Sequence, residues 1–290
     1  MLFNHSLYPT SSLSHQLLQW ATALFFLGRA ILFWFWGAPY RTFFWDEPLL
    51  GNAIETLGMS WGAYLSNVAT DNNINLLVNT QAVIFLLASL STFFYKKLPA
   101  RLTHPLIFLA AIQMFLLALL LWKEKFGVIA QLFEYTLQIF VPILFLYWKK
   151  DSWKKSIYWI TAAAIALTFT AHGLYAMGIF KTPGHFIGMT ISILGINEDK
   201  AYTFLWLAGV LDLILAIGIF FKPKPAIWAL LYAMFWGFLT TLARIVAHWN
   251  WNDLYHSFLL WVPESMIRTP HFLVPTALAL YLYKQYFKKA

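Results

Sequence analysis

The sequence predicts an all-α integral membrane protein of about eight transmembrane helices. It predicts two parallel four-helix repeats, with short interfacial helices on the outer side. Three observations lead there. Of the 290 residues, 60% are hydrophobic and only 11% charged, whereas a soluble domain of ordinary composition carries about 25% charged residues. Apolar runs of spanning length recur along the whole chain. Lysines gather in short clusters between alternate runs, the pattern that orients membrane insertion.

A spanning helix needs roughly 20 mostly apolar residues. The stretches that qualify are 17–38, 74–95, 104–122, 126–148, 156–179, 202–221, 225–246 and 267–287. The third and fourth are separated by "KEK", which reads as a tight hairpin. Two longer segments, 39–73 and 180–201, are not apolar enough to cross and read as interfacial or re-entrant. The first residues, "MLFNHSLYPTSSLSHQ", lack the basic start and small-residue cleavage site of a secretory signal, so the first run is expected to be retained.

The net charge of +8 would fit nucleic acid only if the basic residues formed one face. Instead they cap alternate helix ends, so no nucleic-acid partner is expected. With both termini in the cytoplasm, the inner ends carry twelve Lys or Arg residues against one acid, Asp151. The outer side carries six basic residues and nine acids. The positive-inside rule then places the chain as a multi-pass protein of a bacterial cytoplasmic membrane. Cys is absent, so disulfides, thiolate catalysis and Cys-based metal sites are excluded.

The two halves, 1–155 and 156–290, look alike. "APYR" after the first run matches "TPGH" after the fifth. "TLGM" at 56–59 matches "ILGI" at 193–196. Pro105 and Pro225 open runs that reach "MF" at the same interval, and "VP" recurs at 141–142 and 274–275. Four helices per unit preserve orientation, so the repeats would be related by an axis along the membrane normal.

Charge inside a bilayer costs at least about 2.5 kcal/mol per residue on insertion scales, so it marks either a lock between helices or a site. Here the polar residues form stripes: Gln131, Glu134 and Gln138 in the fourth run, Thr168, His172 and Tyr175 in the fifth, Thr240, Arg244 and His248 in the seventh. Arg29 lies deep in the first run and Asp212 near the middle of the sixth, between the small residues Gly209 and Ala216. Arg41, Asp46 and His185 stand in the outer segments, with Glu264, Arg268 and His271 further along. Two readings compete. In one, Arg29 and Arg244 neutralise Glu134 and Asp212 and only lock helices together. In the other, Arg29, Arg41, Asp46, Glu134, His172, His185, Asp212, Arg244 and His248 surround an outward-facing pocket closed by 40–50 and 183–198. That pocket would take a lipophilic small molecule with an anionic or carbonyl end. Asp46 also reads as a helix N-cap with Pro48 in the first turn. No metal-ligand spacing joins the eight histidines, and no nucleotide or nucleophile-elbow motif is present, so no metal is expected and no catalytic residue is named.

The stretch "GRAILFWFWGAPYR", followed by an outer segment and then a small-residue helix such as "LAGVLDLILAIGIF", resembles the DoxX-like bacterial membrane proteins. The membrane domain of vitamin-K-dependent carboxylase-like proteins is a weaker likeness. The DoxX-like resemblance implies a duplicated four-helix unit and, from some members of that family, a link to quinone chemistry. Neither resemblance carries over a catalytic residue. The expected functions are therefore a redox-linked protein or subunit binding a quinone-like or lipid cofactor, an accessory subunit of an envelope membrane complex, or a small-solute transporter.

Overall fold

A computed structural model describes residues 13–147, 155–221 and 223–286. The lysine-rich stretch 149–154, Lys222, Lys288 and Lys289, which carry part of the charge asymmetry, lie outside the described residues. Among those described the secondary structure is helical throughout, with no strand. Seven helices are long and apolar enough to cross a membrane: α1 (Leu13–Trp36), α5 (Val68–Phe93), α6 (Ala100–Glu124), the stretch Ile129–Tyr147, α9 (Lys155–Ala176), α11 (Glu198–Gly218) and α12 (Pro223–His248). The last helix, α15 (Pro270–Tyr286), has 17 residues and packs inside the same bundle.

The fourth span is broken. It runs as α7 (Ile129–Glu134) and α8 (Thr136–Tyr147), with the interruption at Tyr135. The approach to α15 is broken in a similar way. A continuous helical path passes through α13 (Leu254–His256), a π-helical turn at Ser257–Trp261 and α14 (Val262–Met266) before α15 begins. Between α1 and α5 lie α2 (Arg41–Phe44), α3 (Glu47–Thr56) and α4 (Trp61–Ser66). Between α9 and α11 lies α10 (Gly184–Leu194). These short helices share one end of the bundle, called the cap end below.

Local chemistry sets these boundaries. Asp46 caps α3 by accepting a hydrogen bond from the Leu49 amide at 3.0 Å, with Pro48 in the first turn. Ser60, Asn67 and Asn197 cap α4, α5 and α11 in the same manner. Gly195, at φ +63°, ends α10 in the left-handed conformation that glycine adopts without steric cost.

The core is built around α1, the most enclosed of the seven spans, whereas α12 is the least. Phe25, Phe26, Phe85 and Phe145 are fully buried where α1 meets α5 and α8. Small residues bring other pairs closer. A Cβ on Gly209 would sit 2.7 Å from the Gly173 carbonyl oxygen, so α9 and α11 touch backbone to backbone. A Cβ on Gly237 would come within 2.6 Å of the His271 carbonyl oxygen, so α12 packs as tightly on α15. In a bilayer such close approach is a main source of helix association, because lipid tails are as apolar as the side chains they replace.

Candidate functional site

The polar residues gather near the cap end in two adjoining groups. The first lies among α1, α7, α8 and α9. Arg29 Nη2 donates to Gln138 Oε1 at 2.5 Å, and the Arg29 guanidinium lies 5.6 Å from the centre of the Tyr135 ring. Gln131 Nε2 donates to Glu134 Oε2 at 3.2 Å, and Tyr175 Oη donates to Gln131 Oε1 at 3.3 Å. Arg29, Gln131 and Gln138 are all buried.

The second group lies among α9, α10, α12, α14 and α15. Arg268 Nη1 meets Glu264 Oε2 at 2.7 Å, and Arg244 Nη1 reaches the same oxygen at 3.9 Å. Arg244 Nη2 stands 3.4 Å from His185 Nε2. His172 stacks on His271, with ring centres 5.3 Å apart. His271 Nδ1 is 3.0 Å from the Arg268 carbonyl oxygen. A carbonyl only accepts, so Nδ1 carries the proton and Nε2 of the neutral ring is left as an acceptor. That Nε2, His172 Nδ1, Arg244 Nε and Arg29 Nε are buried without a hydrogen-bond partner among the described residues. Leaving a buried polar group unpaired costs about 1–3 kcal/mol each.

Beside this second group opens a cavity of about 380 Å³, within the roughly 300–1,000 Å³ range of small-molecule sites. Its polar end is formed by His172, Arg244, Arg268 and His271. The rest of its wall is apolar, from Phe169, Phe186, Met189 and Leu205 out to Ile193, Leu194, Leu239 and Val246. Val246 is 64% exposed and Leu194 47%, so the apolar end reaches the outer surface of the bundle between α10 and α12.

The candidates named from sequence separate accordingly. His172, Asp212 and Arg244 line the cavity, and His185 joins it through Arg244. Arg29 and Glu134 belong to the neighbouring group and do not line it. Asp212, 2% exposed, is held by Tyr232 Oη at 3.2 Å, and among the described residues no arginine pairs with it. The expected pairing of Arg29 and Arg244 with Glu134 and Asp212 is therefore not the arrangement found. Arg29 takes a neutral partner, Gln138, and Arg244 takes Glu264. His248 stacks on Trp261 at 4.0 Å, beyond the cavity wall.

Arg41 and Asp46 lie elsewhere in the cap. Arg41 forks onto Asp71 and Asn75 and stacks on Trp45. Asp46 pairs with Lys123 at the start of α3. Of the two expected lids, the 183–198 segment contributes cavity wall through α10. Segment 40–50 instead flanks a separate apolar groove, where Tyr40, Phe43 and Phe44 face α6.

Glu264, Arg268 and His271 stand at the outer edge of the eighth run by sequence, yet they form the centre of the polar cluster. The signal was available. Their spacing of i, i+4 and i+7 is the stripe pattern used to pick out the fifth and seventh runs. Pro270 lies within the stretch, and Pro263 and Pro275 flank it, which masks a helical reading.

The chain matches no protein-family model, no curated protein and no solved structure. Among the described residues, no three His, Asp or Glu side chains gather as a metal site. The cavity offers guanidinium and imidazole groups at one end, and its other end is greasy and open at the bundle surface.

Proposed function

We propose that this polytopic membrane protein binds an amphiphile, a quinone-like molecule or a lipid, in the cavity between α9, α10, α11, α12 and α15. One observation carries the reading. The cavity joins buried Arg244 and His271 at one end to surface-exposed apolar residues, Val246 and Leu194, at the other. A soluble solute has no use for an apolar entrance on the flank of a bundle, whereas a ligand dissolved in the bilayer arrives by that side.

The proposal includes a topology. The cap end faces outward, both termini are cytoplasmic, and α15 completes an eighth span. The asymmetry of Lys and Arg along the chain supports this orientation in a bacterial inner membrane. The DoxX-like resemblance and a duplicated four-helix unit belong to the same reading, and a redox partner or substrate would act through the bound amphiphile.

The experiment is native mass spectrometry of the full chain released from mild detergent, followed by identification of what comes off. A stoichiometric lipid or quinone supports the reading. Protein that carries none when extracted directly from its membrane favours an accessory role in an envelope complex, with the charges serving only to lock helices.

A further inference from the structure

Thr136 Oγ1 lies 2.7 Å from the Phe133 carbonyl oxygen in the preceding turn and 3.1 Å from that of Ala164 on α9. Thr269 Oγ1 lies 2.8 Å from the Met266 carbonyl oxygen in its preceding turn and 3.4 Å from that of Ala21 on α1. Each threonine sits at a break in its helix, and each precedes a Val-Pro pair by the same interval. If Thr136 answers to Thr269 and Ala164 to Ala21, the flanking residues follow. Gln131 answers to Glu264, Tyr135 to Arg268 and Gln138 to His271. Counting onward from the alanines, Arg29 answers to His172. The packing agrees. Gly28 closes on Pro263, and their counterparts Ala171 and Ala130 pack in one cluster.

These counterparts differ in what they fill. In the first half Arg29 extends to Gln138 and lies by the Tyr135 ring. In the second half His172 reaches only far enough to stack on His271, because an imidazole is shorter than the arm of an arginine. The cavity opens on that side. His172, Arg268 and His271 line it, while Arg29, Tyr135 and Gln138 line neither this cavity nor the apolar groove between α2 and α6. The polarity is also reversed. Where the first half has a tyrosine ring, the second half has Arg268. Arg268 and Arg244 share one carboxylate, Glu264, and Glu134 of the neighbouring group also interacts with both and with Arg29, so three guanidinium groups face two carboxylates and one positive charge is left over. Asp212 does not offset it at the polar end, because its interactions are with Tyr232 and Trp236 and none among the described residues is with an arginine.

We infer that the ligand head occupies, beside His172, the place that the Arg29 guanidinium fills in the first half, and that this head is acidic, a carboxylate or phosphate on an apolar chain. The inference rests on the amphiphile reading and narrows it. The first-half cluster is the filled, structural version of the site, and the second-half cluster is the open, binding version. A charge-assisted hydrogen bond from guanidinium to such a head is among the stronger polar contacts available in a dry setting.

The test uses diazirine probes that share one saturated chain and end in a carboxylate, a phosphate monoester or an alcohol. They are cross-linked to the full-length protein in detergent, and labelled peptides are mapped. The acidic probes should label Met189 and Leu239, in the cavity wall, about tenfold more than the alcohol, the factor of one charge-assisted hydrogen bond. His172→Arg should fill the head position and abolish labelling by the acidic probes while thermal stability holds. Should that variant misfold, His172→Arg with His271→Gln restores the Arg29–Gln138 pairing and takes its place. Equal labelling by all three probes, untouched by either variant, overturns the acidic head but leaves the amphiphile site standing. No labelling of the cavity by any probe overturns both.

Discussion

Glu264 Oε2 sits 2.7 Å from Arg268 Nη1 and 3.9 Å from Arg244 Nη1, one carboxylate oxygen serving two guanidinium groups from different helices. Glu264→Gln should therefore be severe. It leaves buried Arg244 and part-buried Arg268 without the carboxylate they share, and breaking a fully buried pair costs about 3–5 kcal/mol, the upper bound here. A drop in thermal midpoint together with loss of cross-linking is expected. Unchanged stability would mean that the three groups are screened by water rather than held together.

Arg29→Met should be milder. The partner is a neutral amide, Gln138, so the main loss is one unsatisfied acceptor, about 1–3 kcal/mol. Part of that is returned because a charge no longer has to be held at membrane depth. The variant should keep its ligand. A purified Arg29→Met protein that is stable yet empty would place Arg29 in the binding site and reverse the division between the halves.

Gly237→Ala is expected to act on the site from behind. The new Cβ meets the His271 carbonyl oxygen at 2.6 Å and backbone cannot swing aside as a side chain can, so α15 must shift. The cost should be about 1–3 kcal/mol, typical of overpacking, and labelling of the cavity should fall with it. Gly184→Ala, where a Cβ meets nothing within 4 Å, is the control that should leave both unchanged.

The cap should loosen in acid. Asp46 has its carboxyl held below the ordinary aspartate range, first by its hydrogen bond with Lys123 and also by the Leu49 amide it caps. A depressed folded-state value means that the contribution is present at neutral pH and is lost as pH falls through that lowered value. Hydrogen exchange of α3 should accelerate below the ordinary carboxylate range, and Asp46→Asn should show the faster exchange at neutral pH. Identical exchange in both proteins across that range would rule the contact out as a clamp.

A reporter fused near Asn197 should read outside, and one fused after Lys155 or at Ala290 should read cytoplasm. A cytoplasmic signal at Asn197 would invert the proposed topology and with it the side from which the cap is reached.

Most of the helical plan was legible because it follows from the solvent. A run such as 104–122 can only satisfy its backbone in lipid as a helix, and α6 spans Ala100–Glu124. The breaks were less visible. Nothing in "LFEYTLQ" announces that α7 ends at Glu134, since the stretch keeps an unbroken helical pattern. Gln138, four positions beyond Glu134 on the same stripe, is what meets Arg29, where the sequence pointed Arg29 at an acid. Of the stripe positions, His172 and Arg244 line the cavity. The stripes could not tell Asp212, engaged by a tyrosine, from a carboxylate awaiting a cation, because partners across helices follow from tertiary packing. Arg41 shows the same limit: its partner Asp71 is thirty positions along, at the start of α5.

A density map of the full chain, taken from its native membrane without added lipid, tests the central claim most directly. The expected result is elongated density in the cavity, with its head beside His172 and Arg268 and its tail leaving between Val246 and Leu194. An empty cavity, with His172 and Arg268 closed onto each other and α10 collapsed against α12, would contradict it.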